Sequence, residues 1–304
     1  MKQLFLVLFT SFFFSAASAN AVIVHERNFK AANVIIHKIE TYSDFIGMQS
    51  MDSSTYVSSN KESLPQIVIA VGLKVFRAVC NAPSDKTIVA IFLGREEYLS
   101  VRDRCLSPST AVFSGANLAL RLRVLKYILP NVNRLGLVFS QNLKLDEKYF
   151  QEQASLHELS FVFSPTSNDR ASIIKAMNNT VADTDAMFSL IDSELYLPQI
   201  IQDVLKLCFR QRKIMVGPSN NFVKAGALFS IYSDAEEQIR SLANLLVHLN
   251  AYPMGTVAPF YPPNLKIVFN PYLVRSFGLV LPSAKYLENA FGLCPELGCA
   301  KTLD

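Results

Sequence analysis

The segment Ile214–Gln238 reads IMVGPSNNFVKAGALFSIYSDAEEQ. Its pattern predicts a buried strand, a polar turn, a short helical turn, a second buried strand starting at Gly226, and then a helix. This alternation is typical of an α/β fold. In open α/β sheets a ligand lies outside the carboxyl ends of the strands, where Pro218, Ser219, Asn220 and Asn221 fall. The turn contains no catalytic group, which favours a protein that binds a molecule over one that transforms it.

The amino terminus has the three parts of a secretory signal peptide. Lys2 gives a basic start, Leu4–Phe14 is apolar, and residues 15–19 are all small. The predicted signal peptide is residues 1–19, with cleavage after Ala19 or, alternatively, after Ala21. The apolar run is shorter than the roughly 20 residues that span a bilayer, and no cysteine follows it to carry a lipid. We therefore expect a mature chain in the periplasm.

The composition is that of an exported globular protein. The chain has 304 residues, 50% of them hydrophobic and 18% charged, with a net charge of +4. This length predicts about two domains. Lys and Arg are scattered rather than arranged in a stripe with interleaved aromatic residues, which argues against a nucleic-acid partner. The four histidines are far apart in sequence, so we predict no metal site and no cofactor.

The cysteines predict two disulfide bonds. Cys80 and Cys105 follow neighbouring predicted strands, and Cys294 and Cys299 flank a short turn near the carboxyl terminus. Export makes both bridges chemically accessible. Cys208 lies in an apolar helical pattern, and we interpret it as a buried, inert thiol.

Two runs of alternating strands and helices predict two similar α/β lobes. The strands are apolar throughout, as in Gln66–Val71, Thr87–Leu93 and Ala186–Ile191, which is typical of parallel sheets covered on both faces. The predicted fold class is therefore α/β, with two Rossmann-like lobes. We assign residues 20–112 to an amino-terminal lobe, completed by part of 250–304, and residues 113–249 to a carboxyl-terminal lobe. Residues 250–304 form a crossover and tail, in which Leu265–Asn270 is a late strand.

The sequence lacks the common signatures of catalysis. It has no Gly-x-Gly-x-x-Gly and no phosphate-binding loop. The segment from Gly217 to Asn221 lacks the second glycine of a nucleophile elbow and places a proline before its serine. We therefore predict that the protein is not an enzyme.

Polar residues at the ends of predicted strands form the candidate binding surface. Asp192 is the strongest candidate, because it directly follows an uninterrupted apolar strand and could pair with a ligand ammonium group. Arg95 could face it from the other lobe. The competing interpretation is that such residues only cap the helices that follow them; Ser233, with Glu236 three residues later, has the spacing of a capping box.

Three segments together resemble a known family. They are LKYILPNVNRLGLVF within 118–139, VKAGALFSIYSD at 223–234, and NPYLVRSFGLVLP at 270–282. These segments resemble the ABC-transporter substrate-binding proteins of the type I periplasmic class, in the branch similar to tryptophan- and tyrosine-binding proteins. The resemblance extends from about Gln66 to Ser283 and depends on the order of the motifs.

The resemblance implies a fold, a function and a site. The fold would be two lobes joined by a hinge, and the function would be capture of a small ligand, such as an amino acid, for delivery to an ABC permease. The chain would act as a monomer. The residues carried over by position to the cleft are Gly72, Leu73, Lys74, Ser114, Asp192, Ser219 and Tyr232.

A second function from another class stays open. The turn Gly72–Lys74 lacks the small hydroxyl residues that would hold a ligand carboxylate, and Gly94 is followed by three charged residues. The same fold could therefore serve as a sensory or interaction subunit acting with a membrane receptor or an outer-membrane uptake system.

Overall fold

The computed structural model describes residues 20–252 and 257–295, and the predicted signal peptide lies outside these ranges. The first lobe contains a five-stranded sheet in the order β2-β1-β3-β4-β5, in which every pairing is parallel. Its strands are β1 (Ala21–His25), β2 (Met48–Asp52), β3 (Ile67–Val71), β4 (Thr87–Leu93) and β5 (Ser109–Phe113). The helices between them are α1 (Ala32–Tyr42), α2 (Ser53–Ser58), α3 (Leu73–Cys80) and α4 (Arg95–Arg102).

The second lobe contains a seven-stranded sheet in the order β12-β11-β10-β9-β8-β6-β7, with one antiparallel pairing, between β10 and β11. Its strands are β6 (Arg134–Ser140), β7 (Ser160–Thr166), β8 (Ala186–Phe188), β9 (Ile214–Gly217), β10 (Phe229–Tyr232), β11 (Leu265–Phe269) and β12 (Leu293–Pro295). Its helices are α5 (Leu118–Ile128), α6 (Glu147–Ser155), α7 (Arg170–Ala182), α8 (Pro198–Arg210), α9 (Asn220–Ala225), α11 (Pro271–Ser276) and α12 (Ala284–Phe291).

The continuous apolar strands are explained by burial on both faces of each sheet. Along β1, Val22 and Val24 belong to one hydrophobic cluster, while Ala21 and Ile23 belong to the cluster on the opposite face. Successive side chains of a strand point to opposite faces, so a strand covered on both sides is apolar at every position. The predicted α/β fold class with two lobes is confirmed.

Helix α10 (Ala235–Ala251) corrects the predicted lobe boundary. The sequence assigned this segment to the second lobe, but Ile239, Leu242 and Leu246 share a core with Ile23 and Val89 of the first sheet. The helical period showed which side of the helix is apolar. It did not show what this apolar side packs against, which is the face of the first sheet that α1 also covers.

Within residues 20–252 and 257–295, three segments run between the lobes. Ser114–Asn117 connects β5 to α5, Ser233 and Asp234 connect β10 to α10, and residues 257–264 return to β11. The returning segment is tied to the first sheet, because the Phe113 amide donates to the Phe260 carbonyl (2.8 Å). Beyond it, β11 to β12 extend the second sheet rather than completing the first lobe. We call these connections the hinge.

Cys80 and Cys105 form a disulfide bond within the first lobe. Cys294 is disulfide-bonded as well, and its predicted partner Cys299 lies outside the described residues. Cys208 is a buried free thiol whose pKa is raised to about 12 by burial. A thiol with such a pKa carries almost no thiolate at neutral pH and is chemically inert.

Candidate functional site

The two lobes are in direct contact along the cleft between them. A Cβ atom placed on Gly94 of the first lobe would lie 2.9 Å from the Cβ of Ile191 in the second lobe. A Cβ placed on Gly115 would lie 3.2 Å from the Cδ1 of the same Ile191 side chain. The two glycines thus form a recess that receives Ile191. This close packing needs the absence of a side chain at Gly94.

A small cavity lies beside Ile191, and we call it the interlobe cavity. Its volume is about 20 Å³, and its polar lining comes from Arg95, Glu96, Ser114, Arg121 and Tyr261. This volume accommodates about one water molecule. Sites for small molecules usually measure roughly 300 Å³ or more. The cleft is thus filled mainly by the protein's own side chains.

Arg121 is the most deeply buried charge of the interlobe cavity, with 4% of its surface exposed. Its Nη2 donates hydrogen bonds to the carbonyl oxygens of Ser189 (2.7 Å) and Gly217 (3.2 Å), at the carboxyl ends of β8 and β9. Its guanidinium carbon lies 4.0 Å from the centre of the Phe188 ring. Burial lowers the pKa of Arg121 to about 10, so the side chain remains a cation at neutral pH.

Arg95, Glu96 and Tyr261 form the other polar part of the cavity wall. Nη1 of Arg95 lies 3.1 Å from Oε1 of Glu96, and its guanidinium carbon lies 5.0 Å from the centre of the Tyr149 ring in the second lobe. The pKa of Tyr261 is raised, first by burial and then by the charge of Glu96. The Tyr261 hydroxyl therefore keeps its proton.

Glu97 links the lobes most directly. It is 1% exposed. Its Oε1 accepts hydrogen bonds from the amide (2.7 Å) and the hydroxyl (2.6 Å) of Ser193 in the second lobe, and its Oε2 accepts from the Gly94 amide (2.9 Å). The pKa of Glu97 is raised because burial outweighs the effect of these hydrogen bonds. These contacts to Ser193 can form only when the lobes are together.

Ion pairs at the rim of the cleft add to this contact. Arg77 of the first lobe lies 2.7 Å from Glu194 of the second, and Asp103 of the first lobe pairs with Lys144 of the second. Both pairs are partly exposed, and exposed ion pairs contribute only about 0–1 kcal/mol each. They guide the lobes into register more than they hold them together.

Asp192, predicted to bind a ligand, is held by backbone amides of its own lobe. It is 3% exposed, and its two carboxylate oxygens accept hydrogen bonds from the amides of Ser140 (2.7 Å) and Leu195 (3.1 Å), both in the second lobe. Burial raises its pKa. The carboxylate thus fastens the loop after β8, and both of its oxygens are already engaged by backbone donors.

The other predicted site residues are only partly brought together. Ser114 borders the interlobe cavity and donates to Oε1 of Gln238 (2.7 Å) at the hinge, while Leu73 borders, with Asp192, a separate space of about 10 Å³. Gly72, Lys74, Ser219 and Tyr232 border neither space. Gly72 and Ser219 precede α3 and α9, Lys74 is exposed, and Tyr232 is buried where β10 pairs with β11.

Sequence reasoning did not select Arg121, Glu97, Ile191 and Tyr261. Arg121 carried a readable signal, because it stands three residues after Leu118 and one before Leu122, on the apolar side of α5. A charge inside an apolar stripe is rare unless it has a buried role. Glu97 stands at the third position of α4, where a carboxylate can bond back to the helix start. Ile191 and Tyr261 carried no comparable signal.

The described residues carry no sign of a metal site or a membrane span. No group of three or more His, Cys, Asp or Glu side chains among them is arranged to hold a metal ion. None of the helices in the described ranges combines the length and the apolar character needed to cross a bilayer.

The chain matches no protein-family model and no curated protein sequence. Solved structures do match. A domain from Streptococcus pneumonia, described as an ABC domain in complex with L-Trp, has 15% identity and a TM-score of 0.65 over 90% of this chain and 99% of its own. A conserved domain protein from Vibrio cholerae has 14% identity and a TM-score of 0.66 over 88% of this chain and 97% of its own.

A substrate-binding protein with adhesive properties from Clostridium difficile, solved in an open form without ligand, has 13% identity. Its TM-score is 0.63 over 90% of this chain and 98% of its own. The predicted resemblance is confirmed at the level of architecture, which is that of type I periplasmic binding proteins. Identities this low show the fold alone.

Proposed function

We propose that the protein is an exported solute-binding protein that captures a small ligand between its two lobes and delivers it to an ABC-type membrane permease. The observation that supports this most is the hinged pair of lobes, closed over a polar cavity that contains the buried Arg121. The proposal places the protein in the periplasm as a monomer without catalytic activity.

Ligand capture would follow the equilibrium between an open and a closed form. Opening at the hinge separates Glu97 from Ser193 and withdraws Ile191 from the recess at Gly94 and Gly115. A ligand shifts such an equilibrium only through contacts that differ between the two forms. It would therefore contact residues of both lobes and take part of the space that Ile191 fills.

One observation favours a second candidate function, a sensory or interaction subunit acting with a membrane receptor or an outer-membrane uptake system. Glu97 and Ile191 close the lobes through contacts made by the protein itself, and the interlobe cavity measures only about 20 Å³. A protein that is stable in the closed form can present one fixed surface to a partner.

The two functions are separated by a binding screen. Thermal-shift measurements over amino acids, small peptides and nucleosides, followed by calorimetry on each hit, test for a ligand. Small-angle X-ray scattering with and without that ligand tests for closure. A ligand that binds and reduces the radius of gyration supports solute capture.

The control is a variant altered only on the outer surface. Lys38→Ala removes a partly exposed ion pair with Glu236 at a position that borders neither the interlobe cavity nor the space beside Asp192, and is expected to bind every hit as the natural protein does. If no compound binds and a membrane protein is recovered from envelope extracts, the second function replaces the first.

A further inference from the structure

The geometry points to an anion subsite in the interlobe cavity, at which Arg121 receives the carboxylate of a short solute. This inference rests on the proposed solute-binding function and names the chemical class of its ligand. The side chains with donor groups that border the cavity are Arg121, Arg95, Tyr261 and Ser114. The Ser114 hydroxyl is engaged by Gln238, and Glu96 is the acidic member of the lining.

The charges of the cavity wall favour an anion. Glu96 is paired with Arg95 at 3.1 Å. No ion pair joins Arg121 to a carboxylate among residues 20–252 and 257–295, although the charge of Glu96 acts on it from a greater distance. The two arginines and one glutamate therefore leave one net positive charge beside the cavity. A buried charge is costly unless it is paired, and a ligand carboxylate would complete the pair.

The hydrogen bonds of Arg121 leave donors for a ligand. Nη2 is engaged by two carbonyl oxygens, whereas the buried Nε–H has no hydrogen-bond partner in the described part of the chain. Each edge of a guanidinium that offers two parallel N–H donors includes Nη2. With Nη2 engaged, a ligand carboxylate would accept a single charge-assisted hydrogen bond from the Nε–H of Arg121. The Phe188 ring packs against one side of the guanidinium and holds its plane in place.

The size of the ligand follows from Ile191. Its side chain borders the interlobe cavity and fills the recess between Gly94 and Gly115. A carboxylate with a short carbon chain is larger than the cavity of about 20 Å³, so binding has to displace Ile191. Ile191 therefore limits the affinity and the length of the solute, and a smaller residue at this position should increase both.

The test compares matched solutes on two proteins, the natural chain and Ile191→Ala, by calorimetry in chloride-free buffer. The probes are acetate and propionate as anions, acetamide as the neutral isostere of acetate, and methylammonium as a cation. We expect acetate and propionate to bind Ile191→Ala at least tenfold more tightly than the natural protein. We expect acetamide and methylammonium to bind at least tenfold more weakly than acetate.

A second variant assigns the effect to the charge. Arg121→Met in the Ile191→Ala background should lose at least tenfold in affinity for acetate and little for acetamide. If this buried substitution prevents folding, the comparison of acetate with acetamide on Ile191→Ala alone decides the question.

The negative outcomes are distinct. Equal binding of acetate and acetamide, or preference for methylammonium, would overturn the anion subsite and leave solute capture standing. Failure of every small solute, including those of the wider screen, to bind either protein would overturn the proposed function together with the subsite.

Discussion

Asp192 is a carboxylate beyond the end of a strand that is held by backbone donors of its own lobe. The sequence selected it because an apolar strand was expected over Ala186–Ile191, but β8 ends at Phe188 and Asp192 lies four residues further on, in the loop. Its oxygens accept from the Ser140 and Leu195 amides inside the second lobe. Sequence shows that a carboxylate follows a strand, but it does not show which backbone donors the neighbouring turns direct toward it.

Asp192→Ala is therefore expected to lower stability. It would leave two backbone amides without their acceptor in a buried position, at a cost of roughly 1–3 kcal/mol for each unsatisfied group. Urea unfolding of the natural protein and the variant measures the change. Asp183→Ala, at an exposed position beyond α7, is the matched control and should change stability by less than about 0.5 kcal/mol. Equal stabilities of the two variants would contradict this role of Asp192.

Gly94→Ala adds a single methyl group where Gly94 of the first lobe meets Ile191 of the second, and so tests this contact between the lobes. Its φ of −79° is open to alanine, but the new Cβ would lie 2.9 Å from the Cβ of Ile191, so the lobes have to move apart. We expect a larger radius of gyration by X-ray scattering.

Gly136→Ala is the matched control for this experiment. Its Cβ would lie 2.5 Å from the Met187 sulfur inside the second lobe. It should lower stability without changing the separation of the lobes. An unchanged radius of gyration for Gly94→Ala would show that Ile191 does not hold the lobes at this point.

At the scale of elements, the start of α10 differs from the sequence prediction by one residue. The capping box was expected at Ser233 and Glu236. The structure places the cap at Asp234, whose Oδ1 accepts from the Glu237 amide at 2.8 Å. Ser and Asp are both favourable N-cap residues, so the sequence alone does not show at which of two adjacent positions the helix begins. Here the position is set by the crossing from β10 to α10.

This difference gives a paired prediction. Asp234→Ala removes the cap and should cost about 1 kcal/mol, the usual value for such a residue, together with the ion pair to Lys266 across the hinge. The Ser233 hydroxyl is buried and has no hydrogen-bond partner among the described residues. Ser233→Ala should therefore be neutral or slightly stabilising in thermal unfolding. A larger loss of stability for Ser233→Ala than for Asp234→Ala would show that Ser233, as the sequence predicted, caps the helix.

At the scale of the whole molecule, the sequence predicted the architecture better than the cleft. The continuous apolar strands predicted the doubly covered sheets, because burial on both faces removes polar residues from every position. The recess at Gly94 and Gly115 could not be predicted, since it depends on how one lobe meets the other across residues distant in sequence. Arg121 is an intermediate case, visible as a charge in an apolar stripe but without an evident partner.

Closure of the whole molecule should depend on pH through Glu97. Its pKa is raised in the closed form, so that form binds the proton more tightly than an open form in which Glu97 meets water. Closure is then favoured most below the ordinary value of 4.5 and weakens as pH rises through the raised pKa.

The ion-pair carboxylates Glu194 and Asp103 act in the opposite direction, but their lowered pKa values confine their effect to more acidic solution. Above pH 4.5, Glu97 should therefore favour opening, and the buried Asp192, whose pKa is also raised, acts in the same direction. We expect the radius of gyration of the natural protein to increase as the pH rises from 4.5 through the raised pKa of Glu97. Glu97→Gln, which keeps an acceptor oxygen and does not titrate, should show a smaller increase. An identical pH dependence in the two proteins would assign the opening to another group, and a smaller radius at higher pH would reverse the sign argued here.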